Sequence, residues 1–308
     1  MKLILLFLTC YTLFARDVVE SKGECRINWT QGFIECQGES AEGQNRYGAK
    51  ISAKVIAQRN LLEVIKGVHI DSETTIEDGM FSSEVIKSRV SGTIRGAQVV
   101  SNKYDSKQKY AVATLKLMMG KDLLSALLSD PTQLSFNEKV MQLWNSFHII
   151  AEANAATYGY KEKETIQKLL QDLRTKGDTQ GSIYLEKVLK SIEKQEYSGV
   201  LIDVSEVKNF KKAMIVKLVD EAGQEVYPAG LVTKEVLIKQ NTSVGYIYGL
   251  EDAKHNRRVY HTPIEMKVKS VYKKRYSNIV LTKQQVEQLQ NIDKSILKNA
   301  KIILVLGE

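Results

Sequence analysis

Between residues 41 and 66, small and apolar side chains recur at helical intervals. Ala49, Ala53 and Ala57 come first, then Leu61, Leu62, Val64 and Ile65, with Lys50, Lys54, Gln58 and Arg59 between them. This spacing predicts one amphipathic helix. Gly67 follows, a residue suited to the left-handed conformation that closes a helix, and Val68-His69-Ile70 begins extended chain. A loop is expected over 71–79. Ser91 to Tyr104 is rich in β-branched residues and glycine and reads as a strand. Tyr110, Val112 and Thr114 alternate with Ala111, Ala113 and Leu115 in a second strand, with Asp105 to Lys109 as the turn between them. Upstream, Asn28-Trp29-Thr30-Gln31-Gly32 reads as a turn between two short strands. The expected N-terminal unit, 16–120, is therefore hairpin, helix and strands, an α+β layer with the helix on one sheet face.

The pattern changes over 121–196. Val140, Leu143, Trp144, Phe147 and Ile150, then Ile166, Leu169, Leu170 and Leu173, then Val188, Leu189 and Ile192 follow helical spacing, interrupted near Gly177 to Gly181. Ala151, Ala153, Ala155 and Ala156 permit close helix approach, within the chain or against a neighbouring subunit. Strand signals return over 197–308. They are Gly199 to Asp203, Ala213 to Val219, a turn at Asp220 to Gly223, Glu225 to Tyr227, Ile264 to Val271, Ile279 to Leu281, and the strongly apolar Ile302 to Leu306. Thr282 with Gln285 is a capping box that starts a helix running to about Leu289. A second α/β domain is expected here. The fold class is α+β, with a helical segment between two units.

Charge and cysteines bear on location. Met1-Lys2, the apolar run Leu3 to Leu8 and then Ala15-Arg16 read as a secretory signal peptide over 1–15, cleaved after Ala15. The run is shorter than the roughly 20 apolar residues that a membrane-spanning helix needs. Cys10 raises lipidation, but Thr9 stands where the lipidation box takes Gly, Ala or Ser. The expected location is the periplasm. In that oxidising compartment Cys25 and Cys36, on either side of the expected hairpin, pair naturally as a disulfide. Two unpaired, partly buried thiols are the alternative. The formal net charge of +8 is spread along the chain as a solvated surface. That leaves room for anionic envelope material such as peptidoglycan or lipopolysaccharide, and nucleic acid is not expected.

The chain offers little for catalysis. His69, His148, His255 and His261 stand at no metal-ligand spacing, so no metal or cofactor is expected. No nucleophile elbow, phosphate-binding loop or dinucleotide fingerprint occurs. Gly92 and Gly96 read as strand glycines at a bulge or close backbone contact. Asp220-Glu221 and Glu251-Asp252 read as turn and helix-start residues. A non-enzymatic role is expected.

Several segments carry a family resemblance. They are Gly32 to Gly38, the helix with Ala49, Ala53, Ala57 and Arg59 to Glu63, Ile65 to Val68, Val90 with Gly92 to Ala97 and Val99-Val100, and Tyr110, Val112, Leu115 and Leu117. Together they resemble the LPP20-like proteins, which include the flagellar envelope proteins FlgP and the N-terminal part of FlgT. The C-terminal segments Tyr197 to Asp203, Asp220 to Gly223 with Val226-Tyr227, Gly245-Tyr246, Ala253-Lys254 and Pro263 look like the partner region of longer envelope members, with FlgQ-like basal-disk proteins the nearest in character. The resemblance implies a small SHS2-like N-terminal domain. It also implies assembly around the flagellar motor with a FlgP-like outer-membrane lipoprotein and with further copies of the same chain.

Overall fold

The computed structural model describes residues 16–128, 160–175, 177, 179–183, 185–186 and 197–307, except 229 and 261. The signal segment 1–15 with Cys10, the apolar positions 140–150, the alanines 151–156 and the positions 188–192 lie outside the described residues.

The chain is an α+β protein. Its N-terminal lobe is built on five antiparallel strands in the order β1-β2-β3-β5-β4. These are β1 (Val19–Lys22), β2 (Cys25–Asn28), β3 (Phe33–Glu39), β4 (Gln98–Asp105) and β5 (Tyr110–Met118). The turn at 29–32 brings Cys25 directly opposite Cys36, and the two form a disulfide. One register step away Arg26 pairs with Glu35 at 3.1 Å.

Helix α1 (Arg46–Lys66) starts at Asn45, whose side chain accepts a hydrogen bond from the Gly48 amide. Ala49, Ala53, Ala57, Leu61 and Ile65 are fully buried on one face. The alanines let the helix lie close on the sheet, and Gly38 of β3 completes the seam. A Cβ at Gly38 would overlap the Ala57 amide nitrogen and the Ala53 carbonyl oxygen and would sit 2.8 Å from Ala57 Cα. Gly67 caps the helix as expected but with φ −81°, so the closure is not left-handed; its amide reaches the Ile65 carbonyl instead.

The stretch expected as a loop and then a strand holds two helices, α2 (Ile76–Ser82) and α3 (Glu84–Arg95). Thr75 caps α2 in a reciprocal capping box with Asp78, and Ser83 caps α3. Ile86, Val90 and Ile94 are the buried face of α3, an i, i+4, i+8 series that outweighs the β-propensity of its valines and threonine. Gly92 is thus helical and Gly96 is the C-cap, which corrects the reading of both as strand glycines. The strand begins only at Gln98, and Val100 is a bulge on this edge strand.

After β5 the chain makes a π-helical turn, Met119–Leu124, running into the helical Ser125–Leu127. Helix α4 (Tyr160–Thr175) lies in the segment expected to be helical.

The C-terminal lobe has two four-stranded sheets. One is entirely parallel, in the order β10-β6-β13-β9, from β6 (Val200–Asp203), β9 (Gly245–Tyr248), β10 (Ile264–Lys267) and β13 (Ile302–Leu306). Val200 to Ile202 of central β6 and Ile302 to Leu306 of β13 read as continuous apolar runs because both of their faces are covered. The other sheet runs β11-β12-β7-β8, from β7 (Lys217–Val219), β8 (Glu225–Tyr227), β11 (Val271–Tyr272) and β12 (Arg275–Val280). Helices α5 (Lys234–Gln240), α6 (Leu250–Lys254), α7 (Lys283–Asn291) and α8 (Lys294–Lys298) connect and cover these strands. Thr282 and Gln285 form the capping box of α7. Ala213 to Val216, expected as strand, is buried but not a strand. It crosses to the N-terminal lobe, where the Met214 and Ile215 amides donate to the His69 and Ile70 carbonyls at 3.0 and 2.8 Å. One apolar core runs through both lobes.

Candidate functional site

The residues singled out for chemistry are dispersed and structurally employed. Among the described residues no three His, Cys, Asp or Glu side chains gather as a metal site. His69 lies at the lobe junction and His255 ends α6, while His148 and His261 lie outside the described residues. Asp220 closes the turn before β8, accepting from the Gln224 amide at 2.7 Å. Glu251 and Asp252 occupy the first turn of α6, where Lys254 bridges Glu251 and Glu265 at 3.0 and 3.1 Å.

A buried polar network not anticipated from the sequence organises the C-terminal lobe. The Arg258 guanidinium donates to the Ala300 carbonyl at 2.6 Å and to the Thr242 carbonyl at 2.7 Å. Burial holds its pKa down to about 10, against the opposing pull of Tyr227 and Tyr246. The Tyr227 hydroxyl donates to the Ser243 carbonyl at 2.5 Å, and the Tyr246 hydroxyl to the Ala213 carbonyl at 2.6 Å. Burial raises the pKa of both phenols well above 10.0.

Tyr246 also ties the lobes together. Its ring packs edge-on against Trp29 with centroids 5.5 Å apart, and its carbonyl accepts from the Thr30 hydroxyl at 2.9 Å. Nearby, Asn241 accepts from the Gly120 amide at 3.1 Å and donates to the Gln31 carbonyl at 3.4 Å. These groups hold two lobes in one relation, a structural use of polarity.

The surface feature that stands apart is on α1. Tyr47, Ile51 and Val55 lie at i, i+4, i+8 spacing directly opposite the alanine seam, 78%, 45% and 56% exposed. The helix is therefore apolar on two opposite faces, one spent on the sheet and one turned outward. From Arg46 to Leu62 it carries Arg46, Lys50, Lys54 and Arg59 and no carboxylate. Beside it β4 is an edge strand of the sheet among the described residues, with Val99 and Val100 exposed. The stripe is readable in the sequence, yet the stronger alanine series nearby draws the assignment of the apolar face.

Two basic depressions complete the surface. One, of about 600 Å³, lies at the turn between β11 and β12, where Lys273, Lys274 and Arg275 face Glu73. Arg275 pairs with Glu73 at 2.8 Å across the lobes. The other, of about 300 Å³, lies at the lobe junction among Lys22, Trp29, His69, Lys211 and Lys212. No helix among the described residues is long and apolar enough to cross a membrane.

The C-terminal lobe is a unit with a recognisable counterpart. Residues 199–308 match the family described as Treponema pallidum Tp0624, second domain. The match takes in both C-terminal sheets and the Arg258 network, and it stops short of the disulfide-bonded lobe and α1. No curated protein matches the chain significantly.

Proposed function

We propose that the protein is a non-enzymatic structural component of the flagellar basal disk in the periplasm. In this reading the signal segment exports it, the disulfide staples the N-terminal hairpin, and the chain is required for motility. The observation that carries the reading is the outward stripe of Tyr47, Ile51 and Val55 on α1. An exposed apolar stripe on a helix whose opposite face is already packed on the sheet marks a surface that another molecule covers.

The occupant is a partner with an apolar stripe and an acidic rim, in this reading a FlgP-like lipoprotein. The stripe's flanks, Lys50, Lys54 and Arg59, are basic without a carboxylate among them, so two copies packed stripe to stripe would bring like charges together. Contacts between copies of the chain then fall on other surfaces. Deleting the gene and imaging flagellar motors by electron cryo-tomography tests the reading. Motors without disks and non-motile cells are expected; intact disks with normal motility would remove it.

A second reading, a periplasmic module that binds peptidoglycan or lipopolysaccharide independently of flagella, draws on the exposed Lys273-Lys274-Arg275 turn. Co-sedimentation with purified sacculi that weakens as salt rises, and is lost on Lys273→Gln/Lys274→Gln, would favour it.

A further inference from the structure

The cavity at the lobe junction combines groups from both lobes. Lys22 on β1 and His69 after α1 come from the N-terminal side, and Lys211 and Lys212 from the C-terminal side. Among the described residues Lys212 alone of the three lysines pairs with a carboxylate, Glu20 at 2.6 Å. The Lys22 ammonium sits beside Gly67, 3.9 Å from where a Cβ there would lie, at the C-terminal end of α1, whose dipole tolerates a cation. The Lys211 ammonium lies 5.2 Å from the centre of the Tyr276 ring. Both are held by diffuse partners that leave their N–H groups available. Among the described residues neither has a carboxylate within ion-pair distance.

Lys22 and Lys211, both exposed, bring two like charges from opposite lobes to one half-open depression, where they repel each other. The local potential registers on His69, whose pKa is lowered first by burial and then by Lys211 and Lys22, with Asp71 pulling the other way. About 300 Å³ is room for a tetrahedral oxyanion together with a small attached group, given about 30 Å³ for a water.

We propose that this cavity binds a phosphate group, held between Lys22 of one lobe and Lys211 of the other, and that the bound anion braces the lobe junction. Lysine suits the task as a point charge able to donate to separate phosphate oxygens. A dianion answers both ammonium groups at once, which a single carboxylate does less well. The proposal is independent of the basal-disk reading and stands or falls on binding alone.

The test uses the purified mature chain at constant ionic strength, with sodium chloride exchanged for inorganic phosphate. Saturable thermal stabilisation is expected, with half-saturation on the order of 1 mM. The His69 imidazole resonances should shift as its pKa rises towards the ordinary value. Lys22→Gln or Lys211→Gln should weaken binding about tenfold, and the double variant should abolish both signals while melting as a folded protein in chloride. Lys273→Gln/Lys274→Gln at the distant turn should change neither.

A parallel arm uses phosphatidylglycerol vesicles. Co-sedimentation that falls in the Lys22→Gln/Lys211→Gln variant identifies a lipid headgroup as the source, and unchanged co-sedimentation with a lost phosphate response identifies a soluble phosphate. Either supports the site. Stabilisation that chloride reproduces at equal ionic strength, or that survives in the double variant, overturns it.

Discussion

The Asn241 side chain accepts a hydrogen bond from the Gly120 amide, 3.1 Å away and on the other lobe. Asn241 ends α5 in the left-handed conformation at φ 66°, which asparagine tolerates better than most residues. Its side chain also fills the space that a Cβ at Gly32 would need, and Gly32 itself has φ 69°. Two glycines of one lobe thus receive one asparagine of the other.

Gly120→Ala should therefore cost more than an ordinary glycine replacement. Its Cβ would overlap the backbone carbonyl oxygen of Ile238 and lie 2.9 Å from Asn241 Cα, and neither backbone yields easily. A loss of about 1 to 3 kcal/mol is expected, read as a lowered urea midpoint together with earlier proteolytic cleavage near the junction. Gly43→Ala, at a loop position with no atom within 4 Å of the new Cβ, is the control and should pay only the cost of its positive φ.

The disulfide bears on the N-terminal sheet. Cys25→Ser or Cys36→Ser should lower stability on the order of 2 to 3 kcal/mol in the loop-closure account. The loosening should centre on residues 24–38, with α1 still folded on β3 and β5. Hydrogen exchange localises it, and mass spectrometry of non-reduced peptides from the purified protein checks the bond. Two freely alkylated thiols would contradict the pairing.

Tyr227 and Tyr246 set an alkaline limit. Burial raises both above their ordinary 10.0, so the folded state holds them protonated while the unfolded state releases their protons. Their contribution is complete below pH 10 and drains away as pH climbs from there towards the folded values. Unfolding midpoints should fall steeply above pH 10. Tyr246→Phe should flatten that fall, at the cost of leaving the Ala213 carbonyl and amide without their hydroxyl partner.

Much of this architecture is legible in the sequence, because the period of the apolar residues is unambiguous where one face alone is buried. The turn at Asn28 to Gly32, the β4–β5 hairpin, the capping box at Thr282 and the terminal strand β13 stand where the pattern puts them. Helix α3 is obscured because Val90, Thr93 and Ile94 favour strands in isolation, while the packing of Ile86, Val90 and Ile94 decides the outcome. The junction is hidden for another reason. Arg258, Tyr246, Asn241 and Gly120 are distant in sequence from what they touch, and no local spacing announces a contact across the lobes. The outward stripe on α1 was in plain view, but a helix with two apolar faces gives a weak amphipathic signal, and only the fold tells which face is covered.

The most direct measurement replaces the chain in cells with the Ile51→Glu/Val55→Glu variant and images the motors by electron cryo-tomography. Both positions are exposed, so the fold should change by no more than about 0.5 kcal/mol, and the amount of mature protein, followed by immunoblot, should match the natural chain. The account predicts motors lacking the basal disk at normal protein abundance, with motility restored by a compensating basic substitution in the acidic rim of the partner. Complete disks in cells making the variant at normal abundance would contradict it.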